Sequence, residues 1–303
     1  MQLRFLALPA VAGLALAACG SSTDNSTGSS SSSSSSSPTA TAQACQTGTI
    51  TASGSTALQP LVAKAATAYE AKCPGATITV SGGGSSVGLS NVASGVSDIG
   101  DSDVPVSNAK TIDASTVKDH QVAVVVFAVI VNPGAGVTAL TTQQVQDVFS
   151  GKVTNWKDVG GKDVPITLIE RKTGSGTRLS FIKDMLGGTD TESKTPASTQ
   201  DSTQLVLQGV AGAPGGVSYV GVSSANSSVV AVSIDGAKPT ADDVKSGKYK
   251  YFSHEHMYTK ATASPLAQAF IDFMLAADFQ STTVTQLGYL PVSTTTEQSA
   301  ADQ

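Results

Sequence analysis

Short apolar stretches with strand character alternate along the chain with amphipathic helical stretches, a pattern that argues for an α/β fold. Ile50 leads into a Gly-containing turn, after which Leu58, Leu61, Val62, Ala65 and Tyr69 recur at offsets 0, 3, 4, 7 and 11, one face of a helix. Residues 77–80 alternate as a strand, and Leu89, Val92, Ala93 and Val96 mark a second helical face. The longest apolar run, 122–131, is rich in β-branched residues and predicts a buried strand or crossover. Residues 142–149 predict a short helix closed by Gly151. Residues 166–171 predict a strand entering the turn 172–176, followed by a helix over 177–186 with Gly187 as its stop. Strands are expected over 217–222 and 229–234. Ser264-Pro265 supplies an N-cap and first turn for the last helix, carried by Leu266, Ala269, Phe270, Phe273 and Ala277.

Ahead of this pattern, residues 5–18 are apolar and uncharged and end in Leu16-Ala17-Ala18-Cys19. A run of 14 residues falls short of the roughly 20 that span a bilayer, so residues 1–18 read as a signal peptide. The small residues before Cys19 resemble a lipobox, which makes Cys19 the expected lipid attachment point and places the chain on the outer face of a bacterial membrane. Residues 20–44 are almost wholly Ser, Thr, Gly, Asn and Ala, the composition of a flexible leash. The folded part is expected to begin at Cys45 and to leave 298–303 as a tail. With Cys19 lipidated, Cys45 and Cys73 remain of the 3 cysteines. In an oxidising compartment this pair is expected to bridge, adding roughly 3 to 4 kcal/mol in the chain-entropy model; two free thiols are the alternative. The net charge of -5, without a basic cluster, argues against nucleic acid as a partner.

Three segments share a strand, a turn of Gly, Ser and Thr, and a helix: residues 52–58, 81–87 and 171–178. Glycine lets backbone approach a ligand, and the first N–H groups of each helix lack an internal partner, so donors and the helix dipole together favour an anion. The third segment adds Arg171 and Arg178. A single such turn is usually structural; three in one chain can converge on a tetrahedral oxyanion. The stretch 98–103 brings Asp103, a carboxylate that is costly beside an anion unless the ligand carries a proton for it to accept. Phosphate at neutral pH is protonated and sulfate is not, so Asp103 would select phosphate. An Asp standing alone there would more simply cap a helix or sit in a surface turn.

The ordered series GSTALQP, GGGSSVGL, DIGDSD, NWKDVGG, RKTGSGTR with Phe181, YVGV, IDGAKPT, FIDFML and GYLPV, over about residues 48–292, resembles the phosphate-binding proteins of the Pst transporter family. The resemblance implies a two-lobed type 2 periplasmic-binding-protein fold with ligand in the interlobe cleft. It implies a binding role without catalysis or cofactor, monomeric, delivering inorganic phosphate to the membrane permease of an ABC importer. Carried over residue by residue, it implies ligand contacts from Thr56, the backbone of Ala57, Ser85 and the proton-accepting Asp103 on one lobe. Arg171, Ser175, Gly176 and Thr177 would contribute from the other. Crossings between lobes are expected near Phe127 and Val222, making one lobe of 45–127 plus 223–297 and the other of 128–222. Thr173 stands where many relatives carry an acidic residue that orients the Arg, and 252–256 lacks the Arg-Pro often seen there.

Other readings compete. Residues 84–88 match the GxSxG nucleophile elbow, and a hydrolase would need Ser86, Asp235 and His254 or His256. His254 and His256, with Glu255 between them, could begin a metal site, but no third ligand has a convincing spacing. Trp156 reads as a packing residue. A binder of another tetrahedral oxyanion, or a surface phosphate sensor or scavenger, would share the fold.

Overall fold

The protein was analysed as a computed structural model that describes residues 45–109 and 112–295. The expected signal peptide, Cys19, the Ser-rich leash and the tail lie outside the described residues. Strand β1 (Gly48–Gly54) pairs in parallel with β2 (Ala76–Ser81) and with β3 (Ile99–Ser102). Gly54 closes β1 at φ 141°, and a side chain there would run into the Asp101 carbonyl, so glycine lets the first loop lie directly against β3. Helix α1 (Gln59–Lys72) buries Leu61, Val62, Ala65 and Tyr69, the face its periodicity predicts. Cys73 caps α1 and is disulfide-bonded to Cys45, which ties the segment ahead of β1 to the helix end. Helix α2 (Ser85–Ser94) buries Leu89 and Val92, but Gly95 stops it in the left-handed conformation at φ 78°. Val96 therefore lies beyond the helix, exposed, and not on its buried face.

Strand β4 (Val117–Val131) is the long apolar run, and residues 122–131 are all buried. It continues into β5 (Ala139–Leu140), α3 (Thr142–Phe149), β6 (Thr167–Arg171), α4 (Gly176–Asp184), β7 (Ser198–Gln200), α5 (Thr203–Gly212) and β8 (Gly216–Gly221). The C-terminal part supplies β9 (Val230–Ala231), β10 (Ser233–Ile234), α6 (Ala241–Lys245), β11 (Phe252–Lys260), α7 (Pro265–Leu275) and α8 (Ala277–Phe279). The main sheet runs β2-β1-β3-β11-β4-β8-β6-β7, with β9 also on β4. The result is a mixed α/β fold of two lobes. Trp156 is buried and its indole N–H donates to the Gly215 carbonyl at 3.0 Å, a packing role. The expected last helix ends early: Ala276 is extended at ψ 139°, so Ala277 begins α8, which runs on into a π-helical turn over Gln280–Val284.

Strand β4 joins the lobes, because its residues up to Val126 pair with β11 whereas Phe127–Val131 pair with β8. The pairing places the return at Phe252 and not near Val222. Residues 230–231 still bond to Ile130 and Val131, and 233–234 pair with β5, so the chain rejoins the first lobe only with β11. The stretch expected as one strand over 229–234 is thus two short pieces, each completing the second lobe. Among the described residues, no helix is long and apolar enough to cross a membrane.

Candidate functional site

The ends of β1, β2 and β6 bring the three Gly- and Ser-rich turns together where the lobes meet, and the end of β3 brings Asp103 beside them. Thr56, Ala57, Ser85, Asp103, Arg171, Ser175, Gly176 and Thr177 are all buried there. Ser55 Oγ accepts the N–H groups of Ala57 at 3.1 Å and Leu58 at 3.0 Å and gives its own proton to Asp103 Oδ1. The Ala57 N–H therefore serves its own loop, where the resemblance implies a ligand contact. Thr177 Oγ1 donates to Asp103 Oδ2 at 2.8 Å and accepts from Arg171 at 3.3 Å. The Asp103 N–H donates to Ser85 Oγ at 3.0 Å, which leaves the Ser85 hydroxyl proton for another acceptor. Ser175 caps α4 by accepting the Arg178 N–H, and the first intrahelical bond of α4 runs from Leu179 to Ser175. Gly176 and Thr177 thus present their N–H groups ahead of the helical ladder.

Arg171 reaches across the lobe boundary. Its NH2 group donates to Thr56 Oγ1 at 3.2 Å and to the Asp201 carbonyl at 3.4 Å, while its Nε finds no acceptor. Burial pulls the guanidinium below its ordinary pKa, and Asp103 opposes that most strongly. Hydroxyls and a carbonyl, not an acid at position 173, orient this Arg; Asp201 pairs its carboxylate with Lys172 at 3.2 Å. The lobes are also joined by the Ser86 N–H donating to the Gly174 carbonyl at 3.0 Å. Clefts of 320 and 510 Å³ open on the two sides of Thr56.

Two residues at this site escaped the sequence reading. Ser55 lies inside a loop already singled out, but its role as the hub of that loop depends on the Asp103 contact. Thr203 opens a fourth helix start, its N–H donating to Thr56 Oγ1 at 3.2 Å. Ser202, which caps α5 ahead of Val206 and Leu207, carries the local signal that could have found it. Arg178 turns away from the cleft. It binds Glu192 at 2.7 Å, Asp190 at 3.2 Å and Glu170 at 3.6 Å, and donates to the Arg171 carbonyl at 2.6 Å, bracing the turn from behind.

The groups a hydrolase would recruit are committed elsewhere. Asp235 accepts from the N–H and hydroxyl of Thr142 at 3.0 and 2.6 Å, His256 Nδ1 lies 2.9 Å from Asp119, and His254 Nε2 lies 3.1 Å from Thr295. The histidines thus engage separate partners rather than one shared ligand position. What the cleft offers is a dense set of neutral donors, one guanidinium and one buried carboxylate.

Burial around this site holds protons on several acids. Desolvation raises Glu170 and Asp184 each to about 7, and raises Glu192 as well. The folded chain therefore keeps protons that the unfolded chain releases near the ordinary carboxylate range. Raising the pH from about 5 to about 8 is expected to lower the melting temperature, and E170Q should flatten the slope. Thermal melts across that range check this; a melting temperature that rises with pH would contradict it.

Comparison with known proteins agrees with this geometry. Residues 39–278 match the model of the PBP superfamily domain. The chain is 43% identical over 250 residues to the Phosphate-binding protein PstS of Bacillus subtilis, covering 82% of each. It superposes with a TM-score of 0.75 and 30% identity on a putative phosphate ABC transporter substrate-binding protein with bound phosphate from Clostridium perfringens, covering 80% of this chain and 99% of that one. An ABC-type phosphate transport receptor from Vibrio cholerae matches with a TM-score of 0.64 at 26% identity, covering 80% and 99%. A chain of this fold, with this cleft and this degree of identity across most of its length, belongs to the PstS phosphate-binding proteins of the periplasmic-binding-protein superfamily.

Proposed function

We propose that this protein captures inorganic phosphate in its interlobe cleft, outside the cytoplasm, and delivers it to the membrane permease of an ABC importer. The observation that carries the reading is Asp103, a buried carboxylate set among donors and beside Arg171. Donors alone would suit any oxyanion. An acceptor among them suits one that still holds a proton, as phosphate does and sulfate does not. The relatives named for phosphate support the same ion.

In this reading phosphate enters the open cleft and meets Thr56, Ser85 and Asp103 on the first lobe. The second lobe then closes by bending β4 and the return at β11, adding Arg171, Ser175, Gly176 and Thr177. Ala57 shapes the first loop, its N–H bound to Ser55. Charge-assisted hydrogen bonds of roughly 1.5 to 3 kcal/mol each sum, after ordering costs, to about -8 kcal/mol, or micromolar binding. No covalent step is involved. A lipid on Cys19 would hold the protein, as a monomer, at the membrane surface, with residues 20–44 as the leash that lets it reach the permease.

D103N tests the selectivity argument. Phosphate and sulfate affinities measured by calorimetry should draw together in this variant, because the repelling charge is gone. Complete exclusion of sulfate by D103N would defeat the proposal.

A further inference from the structure

Beside Asp103, on the neighbouring strand, lies a second buried acid. Glu255, on β11, is fully buried and its carboxyl oxygens find no donor. The antiparallel register of β11 on β3, with His256 opposite Ser102, sets Glu255 beside Asp103, and the two carboxyls interact directly. Asp101, on the adjacent β3, is also fully buried, with both oxygens lacking a donor. Asp103, Asp101 and Tyr289 are the titratable groups that face Glu255, and none of them supplies a positive charge. Arg171 offsets the charge of Asp103 from the cleft side, but Asp101 and Glu255 face no cation, and the three buried carboxylates would repel one another at a cost that a shared proton removes. Desolvation and the Asp103 charge both act to keep that proton on Glu255.

The lone pairs of Asp103 say what the proton does. An ionised carboxyl offers about four acceptor positions. Ser55 Oγ–H fills one on Oδ1 and Thr177 Oγ1–H one on Oδ2. We propose that Glu255 is a neutral carboxylic acid whose O–H donates to Asp103, filling a third position and aiming the remaining one at the hydroxyl of the bound oxyanion. Glu255 is thereby a positioning residue for selectivity: it touches no ligand, but it fixes the acceptor that does. The inference rests on Asp103 being the ligand's proton acceptor.

The test uses the full chain and calorimetric titrations with phosphate and with sulfate. E255A, confirmed folded by circular dichroism, should lose at least about tenfold in phosphate-over-sulfate selectivity, the equivalent of 1.4 kcal/mol. E255Q should recover most of that loss, because its amide N–H replaces the O–H donor in nearly the same shape. Adding E255A to D103N should cost no further selectivity, since the two residues act as a unit. Infrared spectra at neutral pH should contain a protonated-carboxyl stretch that E255Q diminishes. Unchanged selectivity in E255A, failure of E255Q to rescue, or no loss of the band would each overturn the proposal. If D103N itself leaves selectivity intact, the reading of Asp103 fails and this inference with it; if D103N lowers selectivity and E255A does not, only the role of Glu255 falls.

Discussion

Replacing Arg171 with alanine should weaken phosphate binding by at least about tenfold, equivalent to 1.4 kcal/mol. The side chain is 1% exposed and spans the lobe boundary, donating to Thr177 on its own lobe and to Thr56 on the other. Its truncation removes a cation that interacts with Asp103 and leaves Thr56 and Thr177 without the donor that aligns them. Much of the loss would come from that uncompensated carboxylate and not from the missing ligand contact alone. R171K should also bind weakly, because a point charge on a flexible stem cannot reproduce the planar fork that reaches two hydroxyls and a carbonyl. Calorimetry checks both variants, and an affinity for R171A equal to that of the unaltered protein would remove Arg171 from the site.

G176A should be nearly as damaging, by a different route. A methyl at this position would collide with Ser85 Oγ and come within 2.8 Å of Asp103 Cβ, both on the opposing lobe. The backbone of Gly176 lies outside the left-handed region, so alanine is acceptable to α4 itself and the obstruction exists only when the lobes meet. The variant should therefore fold and melt much like the unaltered protein while losing at least about tenfold in phosphate affinity. Small-angle scattering with saturating phosphate should find it more open. A closed, tight-binding G176A would mean that the lobes do not need this contact.

The contrast between these two residues bears on what a linear chain reveals. Leu61, Val62, Ala65 and Tyr69 are spaced for a buried helical face, and the β-branched run 122–131 reads as a buried strand or crossover, so α1 was legible from periodicity and β4 from composition. The turns holding Thr56, Ser85 and Ser175 to Thr177 were legible because Gly and Ser before a helix have few other uses in such number. The return between lobes was not, since β9 and β10 are two-residue strands whose partners lie about 100 residues away and leave no local pattern. Thr203 was missed for a similar reason: its cap residue is ordinary, and only the fold carries it to Thr56. Glu255 was hidden by its neighbours: His254 and His256 suggest the start of a metal site and nothing local marks the acid between them, yet all three are buried. Val96 shows the opposite error, an apolar residue in register with a helix that Gly95 had already ended.

The central claim is that the cleft takes a protonated tetrahedral oxyanion and refuses an unprotonated one. Isothermal titration of the purified protein with phosphate and, separately, with sulfate tests it most directly. Phosphate should bind one ion per chain with a Kd of about 1 μM, near -8.2 kcal/mol, and sulfate should bind at least about a hundredfold more weakly. Equal binding of the two ions, or no heat from phosphate, would contradict the account.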